Sequence, residues 1–519
     1  MGDFNPKNLT ISKNPLAQIK WLFSFMFYSF RYICKACHVM KTGSTSRDHQ
    51  SGHRLARVII LVIVVLLLCL ILKHHRLAKV KTTIKEEEKQ LDLGCLYTVI
   101  PPTNPITWKE IIFYIKPSPG GICKGVFRHN VTEGQSKFRI QAFGSKEMVT
   151  GTAMHVGNDT YEAKLQLSFA DEYIFMVILT FLNKNHLEYR VHHNAILQHV
   201  VSSPFESRVA EGTRPAGYTR YCTREESGTA PGRWVECGKL EGIEDCGEWQ
   251  LNQVYDFDQI HGFHWVPFSC QLHHYSNDEI KKCFAKNGWS NIAFTGDSHM
   301  RYRTYHWVTR LYGGCRGCIK THIKMVFDKI PRIEWIFDAR GTRWPMTFPD
   351  VKIPNEVYVH PKTRRSMFSK ELPSTVFDVK LFIMNFGHWV LREITQKKFM
   401  QDKLNAFAEA IQKMNGTDGK KRFLWVNTVS LPWRDDKAVV DWIENPSPAR
   451  VEHWNKLSDS VMRKHGIQIV DAFQISNSRI GATHDQTHYA KRMSNGDCGG
   501  VVENAISNTI ANALCNFKI

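Results

Sequence analysis

The run from Asn291 to Leu311 constrains this chain more than any other stretch. Asn291-Ile292-Ala293-Phe294-Thr295 is apolar and β-prone. It leads through Gly296-Asp297-Ser298-His299-Met300-Arg301 into a helical pattern over 302–311. A strand that turns straight into a helix is half of a βα unit, and such units build parallel sheets. The same geometry exposes a serine hydroxyl. It also aims the first N–H groups of the helix at whatever that hydroxyl attacks. Gly-Asp-Ser is equally an ordinary turn and helix N-cap, so the stretch alone leaves a purely structural role open.

The surrounding sequence extends the alternation. Val379–Met384, Arg422–Val429 and Ile467–Val470 are further β-like runs. Leu404, Phe407, Ile411 and Met414 share one helix face. Val451, Trp454, Leu457 and Val461 share another, and Val502, Ile506, Ile510 and Ala513 a third. These stripes face a core and carry no chemistry. From 249 to 519 the pattern predicts a doubly wound α/β domain with ligands at the strand C-termini, where Ser298 stands.

The 519 residues allow more than one domain. Residues 95–204 read as all-β. Phe138-Arg-Ile-Gln-Ala-Phe and Glu162-Ala-Lys-Leu-Gln-Leu-Ser-Phe alternate, Tyr173–Leu182 is more continuously apolar, and Val156-Gly157-Asn158-Asp159 is a turn. A small immunoglobulin-like sandwich is expected there, acting as a spacer or binding module. Residues 205–248, rich in Gly, Pro and Cys, read as a disulfide-stapled connector.

Upstream, residues 58–72 are an unbroken apolar run bounded by Arg57 and Lys73. It is short for a span, which suits a thin early-secretory membrane. It lacks a small-residue cleavage site, so a transmembrane signal-anchor is expected. Residues 1–57 would be a basic cytoplasmic tail and 73–94 a charged stalk. Lys41, Arg47, Arg54 and Arg57 precede the run, while Lys73, Arg76, Lys79, Lys81 and Lys85 follow it, so charge does not fix orientation. Cysteines do. Of the 14, those at 95, 123, 222, 237, 246, 270, 283, 315, 318, 498 and 515 follow the run, a density that fits an oxidising lumen. That set is odd, so one is free or pairs between chains. Sequons at Asn130, Asn158 and Asn415 lie on the same side. A single-pass type II membrane protein with its bulk in the Golgi or secretory lumen is expected.

Two Cys motifs carry less. Cys34-Lys-Ala-Cys37-His38 matches a haem-attachment pattern, but a cytoplasmic tail offers no route to covalent haem; palmitoylation or coincidence fits better. Cys315-Arg-Gly-Cys318 fits structural disulfides better than a redox pair or half a zinc site, since no second pair of metal ligands accompanies it. The net charge of +19 points to acidic partners. The basic residues are scattered without interleaved aromatics, and a lumenal bulk excludes nucleic acid.

A serine needs a base, and the base works best held by a third group. His484-Asp485-Gln486-Thr487-His488 offers both, because Asp485 and His488 are three residues apart on one turn. With 24 histidines in the chain a lone match has little force, and Asp258 with His261 is a decoy read as structural. Developing oxyanion charge needs donors. Asn385-Phe386-Gly387-His388-Trp389, just past a strand, offers the Asn385 amide, although an Asn in a post-strand turn is also ordinary.

Taken in order, Gly296-Asp297-Ser298 with Arg301, Asn385-Phe386-Gly387-His388-Trp389 and Asp485-Gln486-Thr487-His488 resemble the PC-esterase branch of the SGNH/GDSL hydrolases. Gly232-Arg233-Trp234-Val235, Trp265-Val266-Pro267-Phe268-Ser269-Cys270 and Cys283 resemble the Cys-rich lead-in of that family. The resemblance covers about 218–519. A short anchor and a β domain before it look like the neurexophilin and PC-esterase domain (NXPE) family. The resemblance implies Ser298 as nucleophile, His488 as base and Asp485 as its orienter. It implies Asn385 and the Ser298 N–H as the oxyanion hole. It implies O-acetyl transfer to, or removal from, glycan hydroxyls such as those of sialic acid. No bound cofactor is implied; acetyl-CoA would serve as acyl donor, supplied in the lumen. Tyr302-Arg303-Thr304 depart from the family pattern after Arg301, which bears on substrate choice. His299, Arg301, Arg303 and His388 are candidates to contact an anionic sugar, while Arg301 could instead pair with an acidic neighbour to hold the turn. The rival expectation is a non-catalytic binding or adhesion protein that meets a protein partner through its β domain and keeps the SGNH fold as scaffold.

Overall fold

A computed structural model describes residues 93–119, 134–182, 195–239, 262–314, 319–320, 324–327, 329–337, 379–393, 397–416, 421–431, 448–485, 487–492 and 497–515. The tail, the apolar run at 58–72, the stalk as far as Asp92, Cys34, Cys37, Asn130, Asp258, His261, Cys315 and Cys318 lie outside these residues. No helix among the described residues is long and apolar enough to cross a membrane.

The first region is antiparallel and all-β. It comprises β1 (Tyr97–Ile100), β2 (Glu110–Pro117), β3 (Lys137–Phe143), β4 (Glu147–Gly157), β5 (Thr160–Gln166), β6 (Asp171–Phe181), β7 (Ala195–His199), β8 (Phe205–Val209), β9 (Gly232–Glu236) and β10 (Phe263–Pro267). The long β4 serves two sets of strands. Its first half pairs with β3, and its second half pairs with β5, which continues to β2 and β1. Period-2 alternation sends Ile111, Phe113, Ile115, Tyr161, Ala163 and Leu165 from one set into the same core as Ile140, Ala142, Phe175 and Val177 from the other.

The sheet runs past the expected boundary at 204. Strand β8 pairs with β6, and β9 pairs with β4 and β10. The Gly-Arg-Trp-Val stretch is therefore a strand rather than connector. Its Arg233 is fully buried, and Arg233 Nε donates to Glu147 Oε2 at 3.0 Å. Helix α1 (Arg224–Thr229) starts from a capping box, with Thr223 and Glu226 each accepting from the other's backbone. Cys222 is joined to Cys270 and Cys283 to Cys515; Cys95 and Cys237 are also in disulfides, and Cys498 is free and buried.

The second region is α/β. Helix α2 (Asn277–Lys286) precedes β11 (Asn291–Gly296), α3 (Ser298–Tyr312), β12 (Ile319–Lys320), β13 (Lys324–Phe327) and β14 (Arg332–Phe337). Then come β15 (Leu381–Met384), α4 (His388–Glu393), α5 (Lys397–Gly416), β16 (Arg422–Val426), α6 (Pro448–Lys464), β17 (Gln468–Val470), α7 (Ala472–Asn477) and α8 (Val501–Leu514). The sheet order is β12-β13-β14-β11-β15-β16-β17. The last five run parallel, and β12 and β13 extend the β14 edge antiparallel.

Alternate residues of each parallel strand feed two cores. Ile292, Phe294, Leu381, Ile383, Leu424 and Val426 pack with α3 and α8. Ala293, Phe382, Met384, Phe423 and Trp425 pack with α5 and α6. Helices thus cover both faces. The chain steps from β11 to β14 on one side and to β15 on the other, so the direction of winding reverses at β11. Crevices for ligands open at the C-terminal ends of strands at such a reversal.

Candidate active site

Strand β11 delivers Ser298 to that reversal. Gly296 has φ +150, and a Cβ there would collide with the Asn385 carbonyl and the Met300 side chain, so only glycine fits the turn. Asp297 is the N-cap: its Oδ1 accepts from His299 N at 2.9 Å. Ser298 opens α3, where first-turn N–H groups have no partner within the helix.

His488 and Asp485 arrive from the loop before α8. His488 Nε2 lies 2.8 Å from Ser298 Oγ. His488 Nδ1 lies 2.7 Å from Asp485 Oδ2, and Asp485 Oδ1 accepts from the backbone N–H of His488 at 2.7 Å and of Thr487 at 3.0 Å. Burial pushes the Asp485 carboxyl up, but the hydrogen bonds from His488 outweigh it and hold it well below the usual carboxylate range. An ionised Asp485 fixes the Nδ1–H tautomer, which leaves the Nε2 lone pair for the serine proton.

Two rings flank His488: that of Tyr302, which was not singled out from the sequence as a site residue, and that of His299, which was expected to contact substrate instead. Tyr302 packs against His488 with centroids 4.5 Å apart, and His299 at 4.9 Å. Ser298 and Tyr302 are one turn apart on α3, a spacing that puts both on one helix face and was legible as such. His484 Nδ1 lies 3.1 Å from the His488 carbonyl and ties down the same loop.

Asn385 stands after β15 beside the Gly296 turn, with its N–H donating to Thr295 O at 3.0 Å. Its amide is turned away from the role expected of it. Asn385 Nδ2 donates to Val426 O at 2.7 Å and to Thr428 Oγ1 at 3.2 Å, so both amide hydrogens are engaged by the next loop. Gly387 packs that loop tightly, since a Cβ there would collide with Thr428 Oγ1 and lie 2.7 Å from Trp454 Nε1.

The candidate sugar contacts divide. Arg303 is buried and spoken for: its Nε donates to Glu503 Oε1 at 2.6 Å and its Nη2 to Oε2 at 3.2 Å. Arg301 lies over the rings of Tyr302 and Trp335, with its guanidinium carbon 5.6 and 5.5 Å from their centroids, rather than against an acidic neighbour. His388 is buried beside His299 at 4.6 Å between rings, and neither of its ring nitrogens has a partner. Burial, with the charge of His299 next, pushes His388 down to about 3; burial, with that of His488 next, pushes His299 well down too. His388 is therefore neutral near pH 7. Asn158 is in an exposed hairpin turn, and Asn415 is in the last turn of α5.

No protein-family model matches the chain, and no curated protein matches it. Solved structures do align with it. A GDSL-like lipase of Parabacteroides merdae aligns over 44% of this chain and 96% of its own at 11% identity and TM-score 0.25. A carbohydrate esterase aligns over 81% and 94% at 10% identity and TM-score 0.18. The Lin-41 filamin domain aligns over 24% and 100% at 8% identity and TM-score 0.17. Likenesses at scores this low decide nothing about the chain.

Proposed function

We propose that this protein is a serine-dependent acyl-ester enzyme. The observation that carries the reading is the 2.8 and 2.7 Å chain from Ser298 Oγ through His488 to Asp485. Ser298 Oγ attacks the acyl carbonyl as His488 Nε2 takes its proton. The ionised Asp485 stabilises the imidazolium, and the N–H of Ser298, at the start of α3, receives oxyanion charge. His488 then returns the proton to the leaving oxygen or sulfur, which gives an acyl-Ser298 ester. Water or a sugar hydroxyl, deprotonated by His488, releases the acyl group.

The substrate class we infer is the O-acetyl ester of a glycan such as sialic acid, in the secretory pathway of a type II, Golgi-resident protein. Transfer would draw on acetyl-CoA. Support for these finer points is the ordered motif set and the lumenal signature of cysteines and sequons. The test is to incubate the protein and its Ser298→Ala variant with acetyl-CoA and with acetylated and plain sialoglycans, following sugar masses. Serine-dependent gain of acetyl means transfer, and serine-dependent loss means hydrolysis.

One observation favours a second reading. With both Asn385 hydrogens engaged, the oxyanion hole has no side-chain donor from that residue. A non-catalytic binding protein on the same scaffold would show equal sugar masses for the two proteins across all donors and glycans.

A further inference from the structure

A cavity of about 250 Å³ lies at the junction of the β region and the α/β region, lined from both. Arg139 and Thr150 come from β3 and β4; Asn427, Asp459, Asp471 and Asn477 come from the α/β side. Three buried polar atoms of its lining have no partner: Arg139 Nε, Thr150 Oγ1 and Asp459 Oδ1. Buried polar atoms are ordinarily satisfied, and three that face one cavity offer an occupant donors and acceptors to bond.

Neighbouring groups are held fixed. Asn427 Nδ2 donates to Asp459 Oδ2 at 3.1 Å and to Asp471 Oδ1 at 3.0 Å, and Arg139 Nη2 donates to Asn477 O at 3.2 Å. Burial, with the Asp471 charge next, raises Asp459 to about 7, so near neutrality its carboxyl both donates and accepts.

The lining excludes several ligand classes. Lys137, Arg139 and Lys456 balance Glu452, Asp459 and Asp471, so neither a polyanion nor a metal cation is favoured. The density of polar side chains disfavours an acyl chain. What remains is a small neutral ligand rich in hydroxyls that both donate and accept.

Its position matters more. Asn427 and Asp471 directly follow the C-terminal ends of β16 and β17, as Ser298 follows β11 in the same parallel sheet. Two to three strands at their usual spacing separate them, roughly 10–14 Å. That is the reach of a short oligosaccharide. The loop Val426-Asn427-Thr428 also joins the two places, because Asn385 bonds residues on both sides of Asn427.

We propose that this junction cavity is a distal subsite that binds one monosaccharide of an extended glycan while Ser298 acts on another. The proposal rests on the glycan-ester reading above, and it gives the β region a share in substrate selection.

The test uses Thr150→Val, which removes one unpartnered hydroxyl at equal size, and Asp459→Ala. The readouts are steady-state kinetics on an acetylated sialyl-oligosaccharide and on 4-nitrophenyl acetate, with thermal melting as the folding control. Each variant should raise KM for the oligosaccharide about tenfold, the worth of one hydrogen bond to a ligand, and leave the aryl ester unchanged. Thr150→Val should melt no lower than the parent, so a lost fold does not mimic the result. An unchanged oligosaccharide KM beside normal aryl-ester turnover overturns the subsite and leaves the enzyme reading intact. If the parent neither cleaves the aryl ester nor moves acetyl to or from the sialoglycans, the enzyme reading fails, and saturation-transfer NMR with free galactose decides the cavity alone. Transfer lost in Thr150→Val supports it; no transfer to the parent, a cavity filled by water only, overturns it.

Discussion

At the scale of single residues, the site is organised by what each polar atom has left to offer. Asp485 spends one oxygen on the loop backbone and the other on His488 Nδ1, so its job is orientation. Asp485→Asn removes the charge and favours the wrong tautomer. A fall in kcat of about 10⁴-fold is expected, with KM little changed, measured on an aryl acetate. Arg303 and Glu503 are the opposite case, a buried pair committed to each other. Glu503→Ala strands the guanidinium and should cost about 3–5 kcal/mol of stability in a denaturant titration. The D-x-x-H spacing was legible because one turn of backbone brings both groups together. The fate of Asn385 was not, because its partners Val426 and Thr428 lie some forty residues on and no local pattern announces them.

At the scale of elements, the β11 turn sets the geometry of everything that follows it. Gly296→Ala places a methyl against the Asn385 carbonyl in a backbone region that alanine avoids. A loss of about 1–3 kcal/mol is expected in the denaturant midpoint, with activity falling further because Ser298 moves with the turn. Strands β11, β15, β16 and β17 and helices α5, α6 and α8 were legible as apolar runs and 3.6-residue stripes. Strand β14 was not. Its Arg332 and Glu334 interrupt the apolar pattern, although Glu334 is almost fully buried within a central strand. Strands β8 to β10 escaped for a related reason. Local Gly, Pro and Cys content reads as connector, while pairing with β4 and β6 across long sequence separation decides otherwise.

At the scale of the whole molecule, acid stability follows from its buried histidines. His264, His306 and His388 are each pushed down to about 3, with burial the largest cause. Between the unfolded value near 6.5 and about 3 the unfolded chain binds protons that the folded chain refuses, so stability falls as pH drops through that window. Asp459, raised to about 7, acts the other way between about 7 and its unfolded value near 3.8, because there the folded state binds the extra proton. Taken by themselves, the three histidines against Asp459 give a net loss on the order of 1 kcal/mol or more per pH unit below 6. Melting temperatures at several pH values check it, and Asp459→Asn should steepen the fall. The central claim is that Ser298 is a nucleophile activated by His488. The most direct measurement is labelling of the full chain with a fluorophosphonate, read by peptide mass spectrometry. The account predicts one adduct, on Ser298, absent in Ser298→Ala and formed at least about 100-fold more slowly in His488→Ala. No adduct on Ser298, or labelling indifferent to the loss of His488, would contradict it.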